Sequence, residues 1–372
     1  MVDARPSLFQ KYILPGLVFQ GVLIGGGYAT GREIVEYFMK YGPLGGISGM
    51  LISLVVWSLI LAVTFEFSRR FKTYDYRSLL MSLLGPIWFV FEIFYIVLLV
   101  IVLAVVGSAA GVLLRDYLSI PYLVGVTIML AAIGFLTFKG SDMIEKFSAV
   151  WSPLIYVVYV LFLVVSLVKF GSLIRENLTS AQILPGWAIG GFKYGLYNMC
   201  VIPAILFCVR HIETRKEAVS AGVIAAFVGL MPAFLFFVAI VGHYPEVVSE
   251  EIPAVFVLER AQAPLLLIIF VIVMFGTLIQ TGTGFIHGVN ERLQASLQAK
   301  GKEFPSWQRP VIALFLLLIS LGLSSFGIIR LVAQGYGFIS WGIFAIYFVP
   351  LMTLGVYKVL AKKEPVRPPH LL

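Results

Sequence analysis

Apolar residues in this chain recur in long, nearly unbroken runs, not in the alternating or one-sided patterns of soluble strands and helices. Val90 to Leu114 and Leu265 to Gly284 are two such runs, and each exceeds the roughly 18 residues that mark a membrane span. Gly, Pro and charged turns divide the chain into ten such stretches. Their limits are 12–38, 44–67, 87–114, 121–138, 146–170, 187–209, 217–242, 264–289, 310–326 and 332–358, with the fourth and ninth the shortest. The pattern predicts an all-α polytopic membrane protein, one transmembrane domain over 1–372 with a short tail at 359–372.

The first five spans start near residues 12, 44, 87, 121 and 146, and the second five near 187, 217, 264, 310 and 332. The offsets are alike. Because five is odd, two such halves in series must cross the membrane in opposite senses, as inverted repeats do. The expected repeats are 12–170 and 187–358.

Helix breakers sit at matched places in the two halves. The first span is interrupted by Gly25-Gly26-Gly27-Tyr28-Ala29-Thr30-Gly31-Arg32-Glu33, and the sixth by Gly190-Gly191-Phe192-Lys193-Tyr194-Gly195-Leu196-Tyr197-Asn198, with Pro203 beyond. Gly costs about 1 kcal/mol relative to Ala inside a helix, and Pro removes a backbone donor. Two discontinuous helices are therefore expected, and irregular backbone at membrane depth persists only where protein or a wet cavity surrounds it. Isolated pairs such as Gly45-Gly46 read as close helix packing.

Composition agrees with this reading: 60% of residues are apolar and 12% charged, against about 25% charged in a soluble domain. The net charge of +8 would invite a nucleic-acid reading in a soluble chain, but here the basic residues lie between the apolar runs. With both termini in the cytoplasm, nineteen of the 27 Lys and Arg fall on cytoplasmic segments and six outside. A multi-pass protein of the cell membrane is expected, with the lipid bilayer and a small molecule as partners, no nucleic acid, and no cleavable leader. Only Arg32 and Lys193 fall inside spans, where a buried charge costs at least about 2.5 kcal/mol. Cys200 and Cys208 lie about 12 Å apart along one helix, too far for a disulfide, and read as packing residues. The four histidines are scattered without metal-ligand spacing, so no metal or cofactor is expected beyond a possible Na+.

Ten spans in a five-plus-five arrangement with breaks in the first and sixth resemble the LeuT-type fold of the amino acid-polyamine-organocation superfamily. The string Gly25-Gly26-Gly27-Tyr28-Ala29-Thr30-Gly31-Arg32-Glu33-Ile34-Val35-Glu36-Tyr37-Phe38 is similar to the first span of the YkvI-type bacterial membrane proteins. The resemblance covers about residues 10–358 and implies alternating access around a site between spans one, three, six and eight.

Free amides after a helix break present positive dipole ends to an anion, so Gly25, Gly26, Gly27, Tyr28 and Thr30 are candidates to grip a substrate carboxylate. Tyr194, Tyr197 and Asn198 are candidates for the facing wall. Arg32, Glu33, Glu36 and Lys193 form the set of buried charges, with Glu33 or Glu36 able to neutralise Arg32 or Lys193. In LeuT-like proteins, hydroxyls of the eighth span help to build a sodium site; Thr277, Thr281 and Thr283 lie there, without the usual adjacent pair. Proton coupling would fall to Glu33, Glu92 or Lys193, with His287 and Glu66 nearer the cytoplasmic face. The loop from His243 to Ala263 is a candidate cap over the outer side.

A secondary transporter of an amino acid or related amine, coupled to Na+ or H+, is the function these features suggest. A transporter-like receptor subunit resembling germinant receptors, and a simple channel, are the alternatives. An enzyme is disfavoured, since neither G-x-S-x-G nor H-E-x-x-H occurs, and the absence of G-x-x-x-x-G-K-[ST] argues against an ATP-driven pump.

Overall fold

The computed structural model describes residues 7–139, 141–298, 305 and 308–361; the expected tail at 359–372 falls mostly outside them. The described chain is helical throughout, in ten rods that cross the bundle. Rod one comprises a π-turn at Phe9–Ile13 and three short helices, α1 (Leu14–Leu23), α2 (Gly26–Thr30) and α3 (Arg32–Tyr37). α4 (Pro43–Phe71) is the second rod; the amphipathic α5 (Tyr76–Leu84) then leads into α6 (Phe89–Leu118), the third. α7 (Tyr122–Lys139) and α8 (Ser141–Thr179) complete the first half.

Rod six consists of α9 (Trp187–Tyr197) and two 3-10 segments, Asn198–Ala204 and Leu206–His211. α10 (Arg215–Val241) follows, then a loop holding α11 (Pro253–Arg260), then α12 (Pro264–Gln298) and α13 (Gln308–Ser324). Rod ten strings α14 (Gly327–Arg330), α15 (Tyr336–Ile343) and α16 (Val356–Leu360) together through three π-turns. Among the described residues, seven helices are long and apolar enough to span a bilayer by themselves. Rods one and six are missing from that set because their breaks leave only short pieces, and rod nine because its apolar stretch is Pro310–Ser324.

Burial sorts the rods by position. α6 is buried almost continuously from Leu98 to Leu113, which places it at the centre. α8 by contrast exposes Val150, Val157, Val160, Val164 and Val168, an apolar outer face suited to lipid. The basic segments expected on one side do meet there. Lys11 pairs with Glu213 and Glu217 at 2.7 and 2.9 Å, Arg70 donates to the carbonyls of Val359 and Ala361, and Lys358 Nζ donates to the Ser82 carbonyl at 2.6 Å. We call this the basic side and the opposite one, which carries α11, the loop side.

The Gly190-Gly191 interruption expected in the sixth span is corrected: both residues lie inside regular α9. They are needed for packing. A Cβ on Gly191 would lie 2.0 Å from the Gly49 carbonyl oxygen, so α9 and α4 touch backbone to backbone, as small residues permit in membranes. The break comes at Asn198, where the α-helix tightens to 3-10 geometry around Pro203, a residue with no N–H to give to the ladder.

Candidate functional site between the broken helices

Rod one is interrupted twice. Ile24 and Gly25 are extended, separating α1 from α2, and Gly31 adopts a left-handed conformation with φ of 84° between α2 and α3. Gly25 is held by proximity, since a Cβ there would lie 2.4 Å from Thr281 Oγ1 on α12. At Gly31 both reasons apply: the φ is unfavourable for other residues, and a Cβ would meet the Phe236 ring at 2.4 Å.

The left-handed turn at Gly31 sets the direction of α3 and carries Glu33 to the bundle centre. Glu33 is 5% exposed, and the Tyr197 hydroxyl, at the end of α9, donates to its carboxylate. The Tyr197 ring stacks on Tyr336 of α15 with centroids 4.8 Å apart. The two broken rods are thus joined by one hydrogen bond beside their breaks.

A cavity of about 40 Å³ lies at this junction, lined by Val22, Leu23, Gly25, Glu33, Leu98, Val102, Tyr197, Asn198, Val201, Thr281, Phe285 and Tyr336. Rods one, three, six, eight and ten each contribute. A larger cavity of about 430 Å³ shares Val22, Val201, Thr281 and Phe285 with it and reaches Tyr76, Tyr95 and Arg292 toward the basic side. Its far end is organised by Arg292, whose guanidinium lies over Tyr95 at 3.7 Å and Tyr76 at 4.4 Å and approaches Glu92 at 3.9 Å.

The loop side is closed. Arg32, 2% exposed, donates from Nη1 to the carbonyls of Val248 and Glu250 at 2.9 and 2.8 Å, strapping the loop onto rod one. Arg115 holds Glu251 at 3.0 Å, and the Tyr117 hydroxyl donates to Glu259. Tyr37 donates to the Val332 carbonyl at 3.2 Å. The segment expected as a cap therefore covers this side. Within it His243 is packed edge-on against Phe170 at 4.3 Å, and burial lowers its pKa below the usual 6.5, assisted by Arg260 and opposed by Glu246. Glu250 moves the other way, raised by burial and the neighbouring Glu259.

The residues singled out from sequence separate into those that reach the cavity and those that do not. Gly25, Tyr197 and Asn198 line it, and Gly26 and Gly27 open α2 behind the break. Tyr194 is corrected: it lines neither cavity and is fully buried in an aromatic cluster, 4.7 Å from Phe38 and 5.5 Å from Trp57. Tyr28 is likewise packed away, and Thr30 Oγ1 accepts the Arg32 amide at 3.2 Å across the left-handed turn.

Lys193 is corrected most plainly. It is half-buried, sits over the exposed Trp341 ring at 5.8 Å, and forms no ion pair with Glu33 or Glu36. Only six residues into α9, its long stem carries the ammonium outward. Glu36 pairs with Arg32 at 3.4 Å and also with Lys40. Glu92 lies in the first turn of α6 with Arg292, away from the central cavity.

Thr277, Thr281 and Thr283 each donate to the carbonyl four residues back, at 2.8–2.9 Å. Only Thr281 reaches the cavities. His287 is half-buried and lines neither, and Glu66 is committed to Arg69 at 2.7 and 2.8 Å on the basic side. Cys200 and Cys208 are buried and unbridged. Sequence reasoning missed Tyr336 and Phe285, aromatic residues whose place at the centre is set by tertiary packing alone.

Ten rods with the first and sixth broken around a shared central cavity define the architecture. The chain has the LeuT-type transporter fold. MhsT in complex with L-phenylalanine matches with a TM-score of 0.60 over 95% of this chain and 98% of that one, at 15% identity. A Na+-coupled sialic acid symporter in a substrate-bound outward-open state matches with a TM-score of 0.57 over 91% and 78%, at 13% identity. In sequence the LeuT-fold chain is 25% identical to the uncharacterized membrane protein YkvI of Bacillus subtilis (strain 168) over 297 residues, 77% of this chain and 82% of that one. It is 26% identical to the uncharacterized protein YyaD of the same organism over 354 residues, 93% and 96% of the two chains. The resemblance read from the Gly25–Phe38 string is thus borne out, although no family model matches. The solved proteins that share the fold are transporters, not enzymes.

Proposed function

We propose that this protein is a secondary transporter that carries a small organic solute, an amino acid or related amine, across the cell membrane by alternating access. The observation that carries this reading is the cavity between the two broken rods, closed on the loop side by Arg32 and sharing Val22, Val201, Thr281 and Phe285 with a larger hollow on the basic side. A central site with access from one face is what alternating access requires of each of its end states. The related folds of an amino acid-bound protein and a sialic acid symporter support it.

The basic side is cytoplasmic in this reading, because it gathers most of the Lys and Arg, so the hollow faces inward. The halves 12–170 and 187–358 act as inverted repeats that rock against each other, with breaks in rods one and six as the pivot of the site. The driving ion is Na+ or H+. Thr281 beside Gly25 is the seat for sodium, since its oxygen keeps lone pairs after donating its proton, while Glu33 is the seat for a proton.

Flux assays in proteoliposomes test this. Solutes that raise the melting temperature of the purified protein are expected to accumulate inside vesicles under an imposed sodium or proton gradient, and Thr281→Val removes the sodium response if that ion drives transport. Binding with no flux under either gradient contradicts the transporter reading and favours a receptor.

A further inference from the structure

The charge inventory of the central cavity narrows the solute class. Among the described lining residues Glu33 is the one ionisable carboxyl, and none is Lys or Arg. Among the described residues, the cations nearest to it are held elsewhere or lie at a distance. Arg32 is held by two loop carbonyls and Glu36, Lys193 lies out on Trp341, and Arg292 lies eleven residues along α12 from Thr281, about 16 Å by helix rise.

A solute carboxylate entering this space would find no Lys or Arg among the described lining residues to offset its charge. The amides that open α2, read from sequence as a carboxylate grip, are also taken up in part, since the Tyr28 amide donates to the Gly25 carbonyl at 2.9 Å and the Ala29 amide to the same oxygen at 3.3 Å. The carboxyl group at the broken helix is therefore the protein's own Glu33. The surroundings of Glu33 suit a cation: Tyr197 and Tyr336 form a stacked pair beside it, and Phe285 completes an aromatic wall. At about 40 Å³ the cavity has space for an ammonium group, given that one water needs roughly 10–15 Å³ on the same measure. The adjoining 430 Å³ hollow, with Val22, Val201 and Phe285 at its mouth, has space for an apolar or aromatic tail.

We propose that the cavity binds the ammonium head of a primary amine that carries no free carboxylate, paired with Glu33 and enclosed by Tyr197, Tyr336 and Phe285, with the tail in the hollow toward Arg292. An α-amino acid fails here because its carboxylate and ammonium share one carbon, so both would have to enter beside Glu33. The proposal rests on the transporter reading for its biological sense and on the cavity alone for its chemistry.

Matched pairs that differ by the carboxylate test it: phenethylamine against phenylalanine and isoamylamine against leucine, titrated onto the purified full-length protein by calorimetry and thermal melt. The amine of each pair is expected to bind at least 30-fold more tightly than the amino acid. Glu33→Gln, which keeps size and a partner for Tyr197, is expected to weaken amine binding at least 30-fold, and Glu33→Asp to retain part of it. Glu176→Gln, an exposed carboxyl on α8 away from both cavities, is expected to leave it unchanged. The proposal is overturned if phenylalanine or leucine binds as tightly as its amine, if amine binding survives Glu33→Gln in a variant that melts like the parent, or if neither amine binds. Amine binding without vesicle uptake would remove the transporter reading and leave the ammonium site standing.

Discussion

The Tyr197 hydroxyl donates to the Glu33 carboxylate across the centre of the bundle, joining the end of α9 to the start of α3. Each partner stands next to a helix interruption, Glu33 two residues past the left-handed Gly31 and Tyr197 immediately before the 3-10 segment that begins at Asn198. Movement of either broken rod would therefore change the environment of Glu33, the one ionisable carboxyl among the described residues that line the central cavity. In the proposed reading this couples solute to conformation, because a solute that neutralises Glu33 would have a different affinity for each arrangement of the rods.

Gly25 tests whether the cavity is the binding site. A methyl group there would lie 2.4 Å from Thr281 Oγ1, so Gly25→Ala forces rod one away from α12 or rotates the threonine. Solute affinity is expected to fall at least tenfold, about 1.4 kcal/mol, while the protein still elutes as a folded species. Calorimetry on the variant reads this directly, and unchanged affinity would move the site elsewhere.

Arg32 tests the closure of the loop side. Replacing it with Ala leaves the Val248 and Glu250 carbonyls without their donor and Glu36 without one of its cations, a change of the kind that costs about 3–5 kcal/mol. The variant is expected to melt earlier and to be cut by protease within residues 246–251 at least tenfold faster than the parent. Equal cleavage rates would show that the strap does not hold the loop.

His243 gives the loop side a pH dependence. Burial depresses its folded pKa below the unfolded value of about 6.5, so the unfolded chain binds the proton more readily. Its contribution to stability is complete above pH 6.5 and is lost as pH falls through the lower folded value. Melting temperature is expected to drop between pH 6.5 and 5, and His243→Gln to flatten part of that slope. A slope identical in the two proteins would assign the acid sensitivity to other groups.

Much of the fold was legible in the sequence because apolar runs of bilayer length admit few interpretations. Even the short spans at 121–138 and 310–326 correspond to α7 and α13. The first break was legible too, although of the three consecutive glycines only Gly25 is extended while Gly26 and Gly27 open α2. The sixth was misplaced, because Gly190 and Gly191 look like helix breakers in one dimension and act as packing contacts in three. The same ambiguity governed the charges. Lys193 and Glu33 are both ionisable residues within spans, and only the rotation of each helix decides that one faces Trp341 and the other the cavity. Tyr336 left no local signal, for it enters the site from a rod bent by a preceding π-turn at Leu331–Gly335.

Single-sided access to the centre is the claim on which the whole account depends, and cysteine labelling at Gly288 measures it. Gly288 lines the larger cavity, and a Cβ there meets only the Tyr95 hydroxyl, at an ordinary 3.5 Å, so Gly288→Cys fits without repacking. The natural Cys200 and Cys208 are buried, and the parent protein supplies the background. A membrane-impermeant maleimide applied to oriented vesicles is expected to label Gly288→Cys from the basic side and not from the loop side, with bound solute changing the rate. Equal labelling from both sides, at rates that bound solute leaves unchanged, would contradict single-sided access to the centre.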